Sequence, residues 1–164
     1  MQTRFVLALL VVVAALATYG GTVLATAANG VTSTTFAVGH FGEIDAKTIS
    51  SKWQARIDTK GESDLYVLEN RIAPRGTFGW HSHPGPSLVI AKSGELTLYK
   101  ADDPTCTPEV IQAGSGFVDQ GGDTHLVRNE GTIETVVYVT SLVPRGVARR
   151  IDEPHPANCR EDIQ

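Results

Sequence analysis

The chain has 164 residues, of which 41% are hydrophobic and 20% are charged, and its formal net charge is −4. This length suits one globular domain with a targeting segment and argues against two domains. A weakly acidic chain lacks the basic face that a nucleic-acid-binding protein needs, so no nucleic-acid partner is expected.

The first 27 residues have the pattern of a secretory signal peptide. Arg4 precedes an apolar run from Phe5 to Ala17, and small residues follow up to Ala25-Thr26-Ala27. A basic start, a short apolar stretch and an Ala-x-Ala site are typical of export signals. The uncharged run is also about long enough for a membrane span. Two alternatives follow: cleavage after Ala27, or an uncleaved anchor that would be the only membrane association. In both, the rest of the chain is expected to be secreted or extracytoplasmic.

The remaining residues predict a single all-β domain. Residues 28–50 are small and polar and are expected to form an N-terminal arm. Residues 51–145 alternate between β-prone runs and turn signals, a pattern typical of a sandwich or barrel. Residues 146–164 are expected to form an irregular C-terminal tail. The predicted strands are Trp53–Thr59, Asp64–Ile72, Ser87–Ala91, Glu95–Lys100, Glu109–Gln112, Gly116–Asp119, His125–Arg128 and Thr135–Leu142.

The two cysteines, Cys106 and Cys159, lie far apart in proline-rich polar stretches. In an exported protein such a pair usually forms a disulfide, here expected to hold the tail against the domain. On the chain-entropy model this loop is worth roughly 4 kcal/mol. The alternative, a redox or metal-binding thiol pair, lacks the C-x-x-C spacing.

The histidines carry the chemistry that the sequence predicts. In His81-Ser82-His83 the two imidazoles are two residues apart, so on a strand they project from the same face. Neutral imidazole is a common ligand of Fe, Zn, Ni and Cu. His125 follows a Gly-Gly turn, begins an apolar strand and is the best candidate for a third ligand. Alternatively, the H-x-H pair lies by accident on a solvated edge.

Two motifs in this region resemble those of the cupin superfamily. Residues 76–94 follow the first cupin motif: His81, His83 and Gly94 are in register, and the leading glycine is one place late. The second motif, G-x5-P-x-G-x2-H-x3-N, is matched by four residues, with Gln120 in place of the proline. These four are Gly114, Gly122, His125 and Asn129. The resemblance implies a single cupin barrel, that is, a double-stranded β-helix or jelly roll.

One expected ligand of that family is missing. The resemblance implies a glutamate at the position of Ser87, which is neutral and a poor ligand. What remains is a three-imidazole site of His81, His83 and His125, which would favour anionic substrates. Glu69 and Asp119 are alternative sources of a carboxylate. A barrel with three packed histidines and no metal is the other interpretation.

Two functions are compatible with these features. The first is a metal-dependent, dioxygenase-type oxidoreductase that acts on a small anionic substrate. The second is a non-catalytic extracellular module that binds a metal or a small ligand. No general base stands out beside the histidines, so any catalysis would depend on the metal. A homodimer is left open.

Gly94 has a local role that does not depend on the resemblance. It lies between two apolar strands, a place where a hairpin often requires positive φ. We therefore expect a hairpin at Gly94.

Overall fold

The structure, a computed structural model, describes residues 25–50 and 52–164. In this part of the chain there are twelve β-strands and no helix, which confirms the predicted all-β class. The strands are β1 (Asn29–Phe41), β2 (Asp45–Ile49), β3 (Gln54–Asp58), β4 (Ser63–Thr77), β5 (His81–Ser82), β6 (Ser87–Ser93), β7 (Glu95–Lys100), β8 (Glu109–Gln112), β9 (Gly116–Asp119), β10 (His125–Arg128), β11 (Thr135–Pro144) and β12 (Ile151–Asp152).

Most of the predicted export segment lies outside the described residues. Its last residues, from Ala25, are described and contact the barrel: Ala25 forms a β-bridge with Pro154, and the Trp80 N–H donates to the Thr26 hydroxyl. Among the described residues, no helix is long and apolar enough to cross a membrane.

Ten of the strands form one highly curved antiparallel sheet. Seven of them follow the order β12-β5-β10-β4-β11-β6-β9, while β1 pairs with β4 and β7 pairs with both β10 and β8. The longest pairings join β4 to β1 and to β11. The sheet thereby encloses an apolar interior.

Two-residue alternation along the strands fills that interior. On β4, Leu68, Asn70 and Ile72 are buried while Arg71 is exposed, as expected for side chains that alternate between two faces. Val137 and Val139 of β11 contribute in the same way. The core cluster of buried residues comprises Leu68, Ile72, Ala91, Leu96, Leu98, Ile111, Val127, Val137 and Val139.

The structure differs from the expected strand pattern at both ends of the domain. The segment predicted as an arm contains β1, which pairs with β4 over almost its whole length. The strand predicted from Trp53 is present, but it pairs with β2 in a separate hairpin, outside the barrel sheet. The tail, expected to be irregular, contributes β12 to the edge of β5.

The hairpin expected at Gly94 does not form, although Gly94 has the expected positive φ of 73°. β6 pairs with β11 and β9, whereas β7 pairs with β10 and β8, so the chain crosses between neighbouring parts of the barrel at this residue. A Cβ atom at position 94 would lie 2.5 Å from the Thr135 Oγ1. Glycine is therefore required by both the φ angle and the close approach of β11.

The tail covers a second buried cluster. Trp80 is fully buried there, and its Nε1 donates to the carbonyl of Ile163 at 3.0 Å. The predicted disulfide between Cys106 and Cys159 is present, with 5.3 Å between the Cα atoms. The disulfide links the tail to the loop after β7, whose partner β10 begins at His125.

The side chain of Asn129 is fully buried and forms hydrogen bonds with three backbone groups. Its Nδ2 donates to the carbonyls of Ile72 and Ile133 at 3.0 and 2.7 Å, and its Oδ1 accepts the Gly131 N–H at 2.9 Å. Asn129→Ala should lower the free energy of unfolding by about 3 kcal/mol, since each lost hydrogen bond contributes about 1 kcal/mol. Urea denaturation measures this.

Asn158 provides the matched control for that prediction. Its Nδ2 also donates to two backbone carbonyls, but the side chain is exposed, so water can replace both bonds. Asn158→Ala should cost less than about 1 kcal/mol. Equal costs for the two variants would show that burial of Asn129 is not the reason for its effect.

Candidate metal centre

Three histidines meet on the inner face of the barrel. His81 begins β5 and His83 follows it directly, while His125 begins β10. His125 is the Cα partner of His81 in the β5–β10 pairing, so the register places their rings side by side. The ring centroid of His81 lies 4.9 Å from that of His83 and 4.4 Å from that of His125. One nitrogen from each ring lies within 4.8 Å of the other two.

Each ring is held by a backbone carbonyl. The Nδ1 atoms of His81 and His83 lie 2.8 Å from the Gly79 oxygen and 2.6 Å from the Arg149 oxygen. The Nδ1 of His125 lies 3.3 Å from the carbonyl oxygen of Asp123. A carbonyl only accepts, so Nδ1 carries the hydrogen in all three rings. Each Nε2 is then left with a free lone pair, the tautomer that a metal-binding imidazole needs.

Burial keeps two of the three imidazoles uncharged. It lowers the pKa of His81 to about 2, with further contributions from His125 and Arg150. Burial also lowers the pKa of His83. Both rings are therefore neutral at neutral pH, which is the form that ligates metals. The donor set fits a borderline metal such as Fe, Zn, Ni or Cu.

The rings open into a cavity of about 180 Å³ inside the barrel. Ser87 lines this cavity, as do Phe78 and Asp119. The Ser87 hydroxyl is buried and forms a hydrogen bond of 2.8 Å with the Ser141 hydroxyl. Ser87 thus faces the interior on which the three histidines open.

The two carboxylates considered as replacements lie in different environments. Glu69 projects outwards, where it pairs with Arg71 at 2.9 Å and lies 4.0 Å from Lys92. Asp119 is buried and lines the cavity, and its Oδ2 lies 3.8 Å from the Nε2 of His83. Of the two, only Asp119 is near the histidines.

Sequence reasoning missed two arginines of the tail that line the cavity, Arg149 and Arg150. A third arginine, Arg128, does not line the cavity: it lies near Glu130 and donates to the backbone of Asp162. No local pattern distinguishes Arg149 and Arg150, because they reach the cavity only through the pairing of β12 with β5. Burial, followed by repulsion from Arg150, lowers the pKa of Arg149.

Comparison with known proteins agrees with this geometry. A family model described as "Cupin domain" matches residues 68–141, a range that includes all three histidines. No curated protein matches the chain.

Several solved structures are similar to the chain. A Klebsiella pneumoniae protein with a double-stranded β-helix domain shares 16% identity at a TM-score of 0.47, over 70% of this chain and 86% of that one. A cupin-like protein from Thermotoga maritima shares 17% identity at a TM-score of 0.46, over 55% of this chain and 65% of that one. An oxalate oxidase shares 25% identity at a TM-score of 0.42, over 49% of this chain and 46% of that one. The chain thus spans less than half the length of that oxalate oxidase.

Proposed function

The chain belongs to the cupin superfamily, and from that premise we propose that it is an exported protein that binds a divalent metal ion through His81, His83 and His125. The observation that carries the proposal is that the nitrogens of the three rings converge to within 4.8 Å of one another, while each Nδ1 donates to a carbonyl, which leaves each Nε2 free. When bound, the ion would supply Lewis-acid or redox chemistry to a small molecule in the cavity.

The rest of the chain orients these ligands and shields them from water. The carbonyls of Gly79, Arg149 and Asp123 fix the ring orientations, in the way that outer partners of metal ligands usually do. Apolar walls such as Phe78 and Phe117 limit access of water. Export agrees with the disulfide, because disulfides persist in oxidising compartments.

Asp119 belongs to the proposed ligand set as well. Its Oδ1 accepts the Gly121 N–H at 2.9 Å, but its buried Oδ2 has no hydrogen-bond partner among the described residues. The nearby Nε2 of His83 carries no hydrogen, since Nδ1 holds it. Two electron-pair donors that face each other in a buried place are stabilised by a shared cation. A carboxylate there would also offset part of the charge of a divalent ion.

Asp119→Asn tests this role. The amide keeps an oxygen that accepts the Gly121 N–H, and it replaces the Oδ2, the proposed ligand atom, with an uncharged NH2 group. Affinity for zinc, measured by isothermal titration at fixed pH, should fall by at least about 10- to 100-fold, the loss typical when even an outer-shell partner is removed.

Asp123 provides the matched control, because it is a partly buried carboxylate near Asp119 and His125. Asp123→Asn keeps the backbone carbonyl that holds His125, so zinc affinity should stay within about twofold. An equal loss in both variants would place the ion between Asp119, Asp123 and His125 instead, against the three-histidine site.

Two activities are compatible with such a site. One is a dioxygenase-type oxidoreductase that acts on a small anionic substrate, and the other is a non-catalytic module that binds a metal or small ligand. Asp119 is the only carboxylate among the described residues that line the cavity, so the chain offers little acid–base chemistry of its own. Oxygen uptake by the iron-loaded protein with a panel of small carboxylic acids separates the two. Consumption of oxygen supports the enzyme, and binding without consumption supports the module.

A further inference from the structure

The cavity beside the histidines has room for a small organic molecule. Its volume of about 180 Å³ exceeds that of an engineered cavity of roughly 150 Å³ that takes up benzene. Most of its wall is apolar, and the side chains that form it include Phe78, Val89, Leu96, Phe117, Val137 and Val139. A ligand that fits therefore has an apolar body about the size of a substituted six-membered ring.

Positive charge lines part of this cavity without full compensation. The guanidinium of Arg149 is half-buried and forms no salt bridge or hydrogen bond within residues 25–50 and 52–164. Arg150 pairs with Asp152 and donates to the Phe78 carbonyl, but its buried Nη1 has no partner in the same part of the chain. Guanidinium groups with free N–H donors match the geometry of a carboxylate. An anionic group on the ligand would satisfy them.

A second unsatisfied group lies on β4. Asn70 is 3% exposed and lines the cavity, and its buried Oδ1 has no hydrogen-bond partner among the described residues. A buried amide oxygen without a partner is destabilising. A hydroxyl group can donate to the amide oxygen and accept from the amide nitrogen, so it satisfies Asn70 whichever way the amide is turned.

From these observations we infer that the cavity binds a small hydroxylated carboxylic acid with an apolar body. The carboxylate contacts Arg149 and Arg150, the hydroxyl contacts Asn70, and the apolar walls cover the rest. This inference rests on the proposed role of the cavity in ligand binding and names its ligand class. It does not require a metal to be bound, because none of the three contacts involves the histidines.

Calorimetric titration of the metal-free full chain tests the inference with five probes. These are benzoate, phenol and the three isomers of hydroxybenzoate. The best isomer should bind about 2- to 12-fold more tightly than benzoate, the gain expected from one neutral hydrogen bond. The same isomer should bind about 10- to 150-fold more tightly than phenol, which is the gain expected from one charge-assisted hydrogen bond.

Two variants assign these gains to residues. Arg149→Ala should reduce the advantage over phenol to the part that Arg150 supplies, while keeping the backbone carbonyl that holds His83. Asn70→Leu, which is similar in volume, should remove only the advantage over benzoate. Arg145→Ala is the control, because Arg145 is exposed and pairs with Glu62; it should change no affinity.

The outcomes separate this inference from the metal proposal. If no isomer binds more tightly than benzoate, or if Arg149→Ala weakens phenol as much as benzoate, the inference is wrong. Stoichiometric zinc binding without binding of any probe would overturn the ligand class and leave the metal site standing. Probe binding without zinc binding would support the ligand class and overturn the metal site.

Discussion

His83→Ala should abolish stoichiometric binding of a divalent metal. The substitution removes one of three converging imidazoles and leaves His81, His125 and the Asp119 carboxylate. These three do not form a converging group in the described part of the chain, so they do not make a closed site. The substitution also leaves the Asp119 Oδ2 without its neighbour 3.8 Å away. Zinc affinity should therefore fall by at least about 100-fold, as measured by isothermal titration or by metal analysis after dialysis.

His40→Ala is the control for this result. His40 is exposed and lies on β1, where its Nδ1 contacts the Asp64 carboxylate at 2.6 Å, away from the cavity. This variant should bind zinc like the unmodified protein. If His83→Ala retained full metal content, the three-histidine site would be refuted.

Loss of the disulfide should have the largest effect on stability. The bond between Cys106 and Cys159 closes a loop of 53 residues, which corresponds to about 4 kcal/mol on the chain-entropy model. The variant with both cysteines replaced by serine should unfold with a free energy lower by about that amount. Urea denaturation of the two proteins at one pH measures the difference.

The same variant has an expected effect on the metal site. The tail carries the Arg149 carbonyl that holds the His83 ring, and it carries both cavity arginines. Loosening the tail should therefore weaken zinc binding by several-fold as well. A stability loss below about 1 kcal/mol would contradict the role of the disulfide in holding the tail.

Local sequence patterns predict the interior strands well, because each has alternation or an apolar run between turn signals. The strands β7 to β10 have the predicted bounds. The local patterns fail at β12, because its two residues pair with β5 through their backbones and show no side-chain pattern. They also fail at Gly94, because positive φ suits both a hairpin and a crossing between strands that do not pair.

Spacing along the chain accounts for only part of the candidate site. His81 and His83 are two residues apart, so their common face follows from strand geometry. That His125 lies opposite His81 depends on a long-range register. The turn before His125 and the motif resemblance indicated His125 as a ligand, but local spacing does not give that register. Asn70, Arg149 and Arg150 carry no sequence signal: on β4, Asn70 is one polar residue in a polar run, and the arginines follow a strand expected to end the domain.

Elemental analysis of the protein isolated from the exported fraction, without added metal, is the decisive test of the metal site. We expect one divalent transition-metal ion per chain, removed by a chelator and restored by one equivalent of the same metal. A protein that is isolated without metal, and that then fails to take up one equivalent of zinc, iron, nickel or copper, would contradict it.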